Sequence, residues 1–187
     1  PRLEKDEAYL PSMQPKSTVA YAPNGVRIER ARIETEAGEP VNVLSRGRTY
    51  RWVYDAAFDQ DCEQVRFGML IKTVKGVELY GVASAGPMDG VAVRAGTRLR
   101  VGFRFRAALA SGSYFVNCGI LGRPVGAAAF EETYLARIID AGMFRIDTPR
   151  APMTGGYVDL RADGAEGYGS GLVEIKAVTD ALQEAPL

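Results

Sequence analysis

The chain has 187 residues and no net charge, because 23 lysines and arginines are balanced by 23 aspartates and glutamates. It lacks the basic excess that attracts phosphate backbones, so we expect no nucleic acid partner. The sequence contains no histidine, which removes the commonest general base and the commonest transition-metal ligand. Histidine-based catalytic triads and most metalloenzyme sites are therefore excluded.

Two cysteines, Cys62 and Cys118, are too few for a disulfide framework in a chain of this length. We expect two free thiols. No apolar run approaches the roughly 20 residues of a membrane span, so we expect no direct membrane insertion. The chain begins with proline and shows no secretory signal, which favours a domain excised from a longer protein.

Segment 1–23 contains four prolines and no sustained hydrophobic period, which is typical of a linker. From Asn24 onward, about eight to ten short runs alternate apolar with polar residues and end in glycine-containing turns, as half-buried strands do. Long helices do not alternate with these runs. The pattern therefore predicts an all-β fold, an antiparallel β-sandwich spanning residues 24–147.

The clearest alternation lies in 98–106, where apolar residues share one face and arginines occupy the other. We predict that this strand forms a hairpin with 113–121 across the turn Ala110-Ser111-Gly112. The core side of the second strand would then carry Tyr114, Val116, Cys118 and Ile120.

The stretch 131–141 is ambiguous, because its apolar residues have helix-like spacing but the stretch is short for a stable helix. Segment 148–187 is predicted to be a C-terminal extension. It opens with the proline-rich joint Pro149-Arg-Ala-Pro152 and contains weaker strands at 157–160 and 172–178. A strand behind such a joint is a candidate for exchange within a homodimer.

The sequence contains no recognisable catalytic or nucleotide-binding motif. It has no G-x-x-x-x-G-K-[ST] and no strand-linked G-x-G-x-x-G, so ATP hydrolysis by this chain alone is not expected. Gly167-Tyr-Gly-Ser-Gly171 resembles a nucleophile elbow, but without histidine it is interpreted as a glycine-rich turn.

A cluster of acidic residues lacks the glycine and terminal glutamate of a calcium loop and is interpreted as a solvated loop. It comprises Asp55, Asp59, Asp61 and Glu63. Acidic residues are numerous enough for a glycosidase pair, yet nothing singles one out. We expect no enzyme activity, no metal and no cofactor.

Two aromatic and polar surfaces are candidates for ligand contact. Tyr50, Trp52 and Tyr54 share one strand face, which is either a sugar-stacking platform or part of a sandwich core. The better candidate is the outer face of the predicted hairpin with its neighbouring strands. Arginine and amide groups there would bind hydroxyls or a carboxylate of a ligand, and an aromatic ring would stack on it. The alternative is that these residues form an ordinary solvent-exposed strand face. The candidate residues are Arg66, Tyr80, Arg104, Arg106, Phe115 and Asn117.

Several segments resemble, in the same order, the C-terminal domain of Wzt, the ATPase subunit of bacterial ABC exporters for O-antigen polysaccharide. They include Gly47-Arg-Thr-Tyr-Arg-Trp-Val-Tyr54 and Phe67-Gly-Met-Leu-Ile-Lys-Thr-Val-Lys-Gly76, together with 24–38, 78–81, 112–114 and 140–146. The resemblance covers 24–147 and rests on strand and turn patterning. It gives no individual sugar-contacting residue, because those positions vary with the glycan.

The resemblance implies an immunoglobulin-like sandwich that binds carbohydrate without catalysis, in the cytoplasm at the inner membrane. The family recognises the finished, often capped, non-reducing end of a lipid-linked glycan before export, as homodimers that exchange C-terminal strands. The implied partners are the O-polysaccharide, a second copy, and the ATPase domain and membrane subunit of the exporter. One alternative is a domain that chiefly dimerises and positions the ATPase, with incidental glycan contact. Another is a secreted sandwich enzyme or adhesin.

Overall fold

The computed structural model describes residues 7–127, 132–147 and 156–158, together with the backbone of 173–177. Its strands are β1 (Val19–Ala20), β2 (Val26–Glu34), β3 (Val43–Ser45), β4 (Thr49–Phe58), β5 (Cys62–Thr73), β6 (Glu78–Ala83), β7 (Val91–Val93), β8 (Arg98–Arg106), β9 (Gly112–Pro124), β10 (Thr133–Asp147) and β11 (Val173–Ala177). No helix among the described residues is long and apolar enough to cross a membrane.

The strands form two sheets. The first sheet has the order β1-β10-β9-β5-β6, with β3 paired to β10 and β7 paired to β5. The second sheet has the order β11-β8-β4-β2. Among the described strand pairs only β3 and β10 run parallel. The predicted all-β antiparallel sandwich is confirmed.

The core lies between the sheets and is rich in aromatic rings. Tyr50, Trp52 and Tyr54 point into it from β4 and are fully buried, so this aromatic run belongs to the core and is not an exposed platform. Trp52 packs closely on β10, because a Cβ at Gly142 would lie 2.9 Å from its ring carbons Cη2 and Cζ3. A side chain at position 142 would therefore displace the tryptophan ring.

The predicted hairpin of 98–106 with 113–121 does not form. Strand β8 lies in the second sheet between β11 and β4, whereas β9 lies in the first sheet between β10 and β5. The connection between them crosses the edge of the sandwich with Ala107 and Leu109 buried. The prediction of pairing is wrong because alternation within a strand reports which side is buried, not which strand lies beside it. The core side of β9 is as predicted, since its inward residues are all buried.

Strand β10 replaces the ambiguous stretch 131–141, of which residues 132–141 are described. Its pairing with β9 is interrupted between Tyr134 and Ala136 and again between Ile138 and Gly142. Extra residues at such bulges reset the alternation of inward and outward side chains. The bulges therefore explain why the apolar residues of a strand recur with helix-like spacing.

The described part of segment 1–23 packs against the sandwich, unlike the linker that its composition predicts. Ala8 forms a bridge with Val43, and β1 pairs with β10. The side-chain amide of Asn42 binds both backbone groups of Leu10, at 2.7 and 2.8 Å. Prolines prevent a long regular strand here, but hydrogen bonds from side chains and short bridges still hold the segment.

At the other end of the chain, β11 pairs with β8 of the same molecule and matches the strand predicted at 172–178. Val158 forms a bridge with Leu109, and the remainder of the strand predicted at 157–160 lies outside the described residues. The glycine-rich turn predicted at 167–171 lies outside them as well.

Cys62 and Cys118 are both free and buried. Burial raises the pKa of Cys118 to about 12. Burial also raises the pKa of Cys62, with a smaller contribution from the charge of Asp61. Both thiols are therefore protonated and unreactive at neutral pH.

Candidate functional site

The structure divides the sequence-predicted site residues between the two sheets. Arg104 and Arg106 lie on β8 in the second sheet, whereas Arg66, Phe115 and Asn117 lie on β5 and β9 in the first sheet. Since the hairpin does not form, these two groups do not share one surface.

The two arginines of β8 already have partners. Arg104 donates to the carboxylate of Glu36 at 2.5 Å, and Nε of Arg106 donates to the carbonyl of Gly47 at 3.0 Å. In the first sheet, Arg66 is buried and its guanidinium donates to the carboxylate of Glu132. None of these three guanidinium groups is free of a protein partner.

Tyr80 lies apart from both groups, at the edge of the first sheet. Its cross-strand neighbour on β5 is Ile71, which is buried in the core. Because directly paired residues share a face, Tyr80 is on the core-facing side of the edge strand, where it is 41% exposed.

A shallow groove crosses the outer face of the first sheet. Its floor is a row of small residues on neighbouring strands, in which Gly68 pairs with Ala83 on one side and Gly119 on the other. We call this row, Ala83, Gly68 and Gly119, the glycine groove. A Cβ at Gly68 would meet only backbone carbonyl oxygens, at 3.6 and 3.8 Å. The groove is therefore open to solvent above its centre.

Larger side chains flank the glycine groove on both sides. Arg66 and Leu121 pair on one side, and Leu70 and Asn117 pair on the other. The flanking rows are four residues apart along each strand, which corresponds to about 14 Å between their Cα atoms. This width suits a ligand with the dimensions of one or two sugar rings.

The core supports the floor of the glycine groove from beneath. The hydroxyl of Tyr54, which reaches across from β4, donates to the carbonyl of Gly68 at 3.2 Å and lies 3.4 Å from the carbonyl of Gly119. Burial raises the pKa of Tyr54 well above its ordinary value, so the hydroxyl stays protonated and able to donate. One buried side chain thus holds both floor strands in place.

An aromatic and cationic cluster closes one end of the glycine groove. Arg137 on β10 is the cross-strand neighbour of Gly119. Its guanidinium carbon lies 4.7 Å from the ring centre of Tyr134 and 5.5 Å from that of Tyr21. Tyr134 leans over the floor, because its Cε1 is 3.2 Å from where a Cβ of Gly119 would lie. The rings remain 45% and 51% exposed for Tyr134 and Tyr21, respectively.

A buried polar cluster at the second bulge of β10 fixes the arrangement around the glycine groove. Asp140 has a positive φ of 51°, and its N–H donates to Oδ1 of Asn117 at 2.8 Å. Its carboxylate accepts from Ser17 at 2.6 Å and pairs with Lys72 at 2.7 Å, while its carbonyl accepts from Thr18 at 2.7 Å. Asn117 is thus a positioning residue, and the cluster anchors the segment that carries Tyr21.

A concavity of about 660 Å³ lies at one end of the sandwich, beside the turn after β2 and the turn before β4. Three of its charged side chains are already engaged. Glu7 accepts from the hydroxyl of Tyr50 at 2.6 Å and from Arg48 at 2.8 Å, and Glu36 is paired with Arg104. We therefore favour the glycine groove as the ligand site.

The described residues contain no cluster of histidine, cysteine or acidic side chains placed to hold a metal ion. Asp55 of the acidic group is buried in β4 and contacts Arg30. Asp59 and Glu63 each pair with an arginine at 2.7 Å, and Asp61 accepts from the N–H of Ala95 at 2.7 Å. These carboxylates therefore stabilise the β4–β5 turn and its neighbours.

Sequence reasoning missed Tyr21, Tyr134 and Arg137. Tyr134 and Arg137 lie in the stretch that was ambiguous between helix and strand, and Tyr21 lies in the segment interpreted as a linker. Both tyrosines are flanked by residues without a clear period, so the pattern did not show which side they face. The available signal was the pair of strand glycines, because glycine in a strand often marks a close approach of a ligand or another backbone.

A family model and one solved structure agree with this fold. The family model of the Wzt C-terminal domain matches residues 18–160. The crystal structure of the C-terminal domain of Wzt superposes with a TM-score of 0.68 at 23% sequence identity, covering 83% of this chain and 92% of that one. A second solved structure, Northeast Structural Genomics Consortium target SoR45, has a TM-score of 0.33 at 16% identity, covering 79% of this chain and 98% of that one. No curated protein sequence matches the chain. On the family match, which spans most of its length, the chain belongs to the Wzt C-terminal domain family.

Proposed function

We propose that this domain is a non-catalytic carbohydrate-binding module that holds the non-reducing end of an O-antigen polysaccharide in the glycine groove. The observation that carries the proposal is the groove itself, a floor of small residues beside the half-exposed Tyr134. Sugar rings have apolar C–H faces that stack on aromatic rings, and hydroxyls that pair with amide and guanidinium groups. Membership of the Wzt C-terminal domain family supports this choice of ligand.

The surroundings of the glycine groove suit binding better than reaction. Among the described residues, the carboxylates of Glu132 and Asp140 lie beside it and are paired with Arg66 and Lys72. A general acid or base needs a carboxyl group that is free to exchange a proton with the substrate. An open groove also leaves water in contact with the ligand, which weakens the electrostatic stabilisation that catalysis requires.

In this proposal the domain works in the cytoplasm at the inner membrane. The ATPase domain and membrane subunit of an ABC exporter are its partners, and bound glycan is the signal that a finished chain is ready for export. The family match supports this context.

Titration of the full chain with its own O-polysaccharide, capped and uncapped, tests the proposal. We expect the capped form to bind more tightly. The Tyr134→Ala variant should weaken binding at least about tenfold, or about 1.4 kcal/mol, through the loss of stacking. Tyr9→Ala is the matched control, because Tyr9 is similarly exposed, at 50%, but lines the concavity at the end of the sandwich. A larger loss from Tyr9→Ala would move the site to that concavity, and absence of binding to either glycan would refute the proposal.

A second candidate function is dimerisation that positions the transporter ATPases, with glycan contact incidental. It is favoured by β11, a strand at the end of the chain that pairs with β8 at the edge of the second sheet. The same pairing could be made by β11 of another copy. Sedimentation of the full chain and of a chain ending at Asp147 separates the two functions. Conversion of dimer to monomer with sugar binding retained would show that binding does not depend on exchange.

A further inference from the structure

We infer that the sugar bound in the glycine groove carries an anionic group, a carboxylate or a phosphate, and that Arg137 binds this group. The inference rests on the proposed function and names the class of ligand for the same groove. It follows from the surroundings of Arg137, which differ from those of the other cations beside the groove.

Arg137 is held in place without a polar partner. Within the part of the chain that the structure describes, its guanidinium contacts the rings of Tyr21 and Tyr134 and makes no ion pair or hydrogen bond. A cation over a ring face is attracted by the π-electrons, but such a contact does not consume its N–H donors. The donors of Arg137 are therefore left to water or to a ligand.

The neighbouring charges beside the groove are balanced. Arg66 is paired with Glu132, and Lys72 with Asp140 at 2.7 Å. Neither carboxylate is therefore available to Arg137 without breaking an existing pair. Among the described residues, no carboxylate therefore compensates the positive charge of Arg137 at the end of the groove, beside Gly119.

This placement suits an anion better than a neutral hydroxyl. A guanidinium presents its donors in a planar fork that matches carboxylate and phosphate oxygens in a bidentate manner. Hydrogen bonds between opposite charges are roughly twice as strong as those between neutral groups. Because the two rings already restrain the Arg137 side chain, binding loses less conformational entropy than it would for a free surface arginine.

The experiment uses the full chain, labelled with ¹⁵N, and NMR titration with glucose, glucuronic acid, galacturonic acid and glucose 6-phosphate. The amide signals of Gly68 and Gly119 report occupancy of the groove, and the Nε–H signal of Arg137 reports its own contact. At least one acidic sugar should bind about two- to fivefold more tightly than glucose, as expected for a single partly exposed charge pair. Within the Arg137→Gln variant the ratio of acidic-sugar affinity to glucose affinity should fall to about one, whatever the change in glucose affinity itself, and Arg137→Lys should retain part of the preference.

The matched control is Arg104→Gln, because Arg104 is also partly exposed but lies on the second sheet and is paired with Glu36. It should not alter the preference. Equal binding of glucose and all three acidic sugars in the groove would overturn the inference and leave the proposed function standing. An acid preference that survives Arg137→Gln would overturn it as well. If no sugar shifts the groove amides, both the inference and the proposed function fail.

Discussion

On the outer face of the second sheet arginines pair with carboxylates, whereas on the outer face of the first sheet a row of small residues ends at Arg137. Among the described residues the guanidinium of Arg137 contacts aromatic rings and no carboxylate. In the second sheet, Asp55 is buried beneath Arg30 and Arg100. Glu34 is buried in the same way and lies within contact distance of Arg32 and other arginines. In the first sheet the corresponding central positions, Gly68 and Gly119, have no side chain above them that could pair.

The difference shows that an arginine on a solvent-exposed strand face does not by itself indicate a ligand site. A guanidinium that is neutralised by a neighbouring carboxylate contributes to the fold, and an incoming ligand must compete with its partner. A guanidinium held by rings keeps its donors available. The second face is therefore interpreted as structural and the first as the binding face, and the following predictions test this division from the largest expected effect to the smallest.

Raising the pH acts on the core that both faces share. Burial raises the pKa of Cys118 to about 12 and also raises the pKa values of Tyr50 and Tyr54. The unfolded chain loses these protons above about pH 9 for the cysteine and above about pH 10 for the tyrosines, whereas the folded chain keeps them, so the free energy of unfolding falls as pH rises. Each group contributes about 1.4 kcal/mol per pH unit. Denaturant unfolding between pH 8 and 11 measures the slope, and Cys118→Ala should lessen it; a flat profile would contradict the prediction.

Removing a buried carboxylate tests the structural interpretation of the second face. Asp55→Asn leaves Arg30 without its charged partner and removes one of the two carboxylates that contact Arg100, so it should lower the free energy of unfolding by about 1–3 kcal/mol. Glycan affinity should not change. The matched control is Glu36→Gln, whose carboxylate is 59% exposed and whose loss should cost less than about 1 kcal/mol. Weakened glycan binding by folded Asp55→Asn would show that the second face takes part in recognition.

Filling the glycine groove tests the binding face. Gly68→Thr places a branched side chain in the open centre of the groove and should weaken glycan binding at least about tenfold, or about 1.4 kcal/mol. Stability should be unchanged or slightly higher, because β-branched residues favour strands and a Cβ here meets only ordinary contacts. Isothermal titration and thermal unfolding measure the two effects, and Gly68→Ala should give an intermediate loss. Full affinity in a folded Gly68→Thr protein would place the ligand elsewhere.

Removing the support beneath the groove should have a smaller effect. Tyr54→Phe deletes the hydroxyl that binds the carbonyl of Gly68, and we expect a loss of stability of about 0.5–1.5 kcal/mol and a weakening of binding by a few fold. Tyr114→Phe is the control, because its hydroxyl donates to the carbonyl of Ala110 at 2.8 Å, away from the groove. The control should show a similar stability loss without a change in affinity. Identical affinities in both variants would indicate that the floor does not depend on Tyr54.

The smallest effect is expected for an exposed arginine of the second face. Arg104→Ala should change glycan affinity less than about twofold and the free energy of unfolding by less than about 1 kcal/mol, because its pair with Glu36 is solvent exposed. Titration under the conditions used for Gly68→Thr provides the comparison. A tenfold loss of glycan affinity would show that Arg104 belongs to the binding site and that both faces contribute to recognition.

Much of the fold can be predicted from the alternation of apolar and polar residues within single strands. Alternation along β8 and β9 predicts which residues face the core, and burial of Val101, Phe103, Tyr114 and Val116 agrees. The candidate site depends on partners between strands, and there the prediction fails. The hairpin interpretation placed Arg104 and Phe115 on one outer face, whereas the chain crosses between the sheets after β8 and separates them.

The sequence by itself determined the fold class and the absence of histidine chemistry, and it offered burial of the aromatic run as one of two interpretations. These conclusions depend on composition and on the two-residue period of a strand. Only the tertiary structure decided that Gly68 and Gly119 lie side by side and that Tyr21 meets Arg137. These contacts join residues far apart along the chain. They depend on strand order, on register and on bulges such as those in β10, and a shift of one residue in any of them would turn the same side chains to the other side of the sheet.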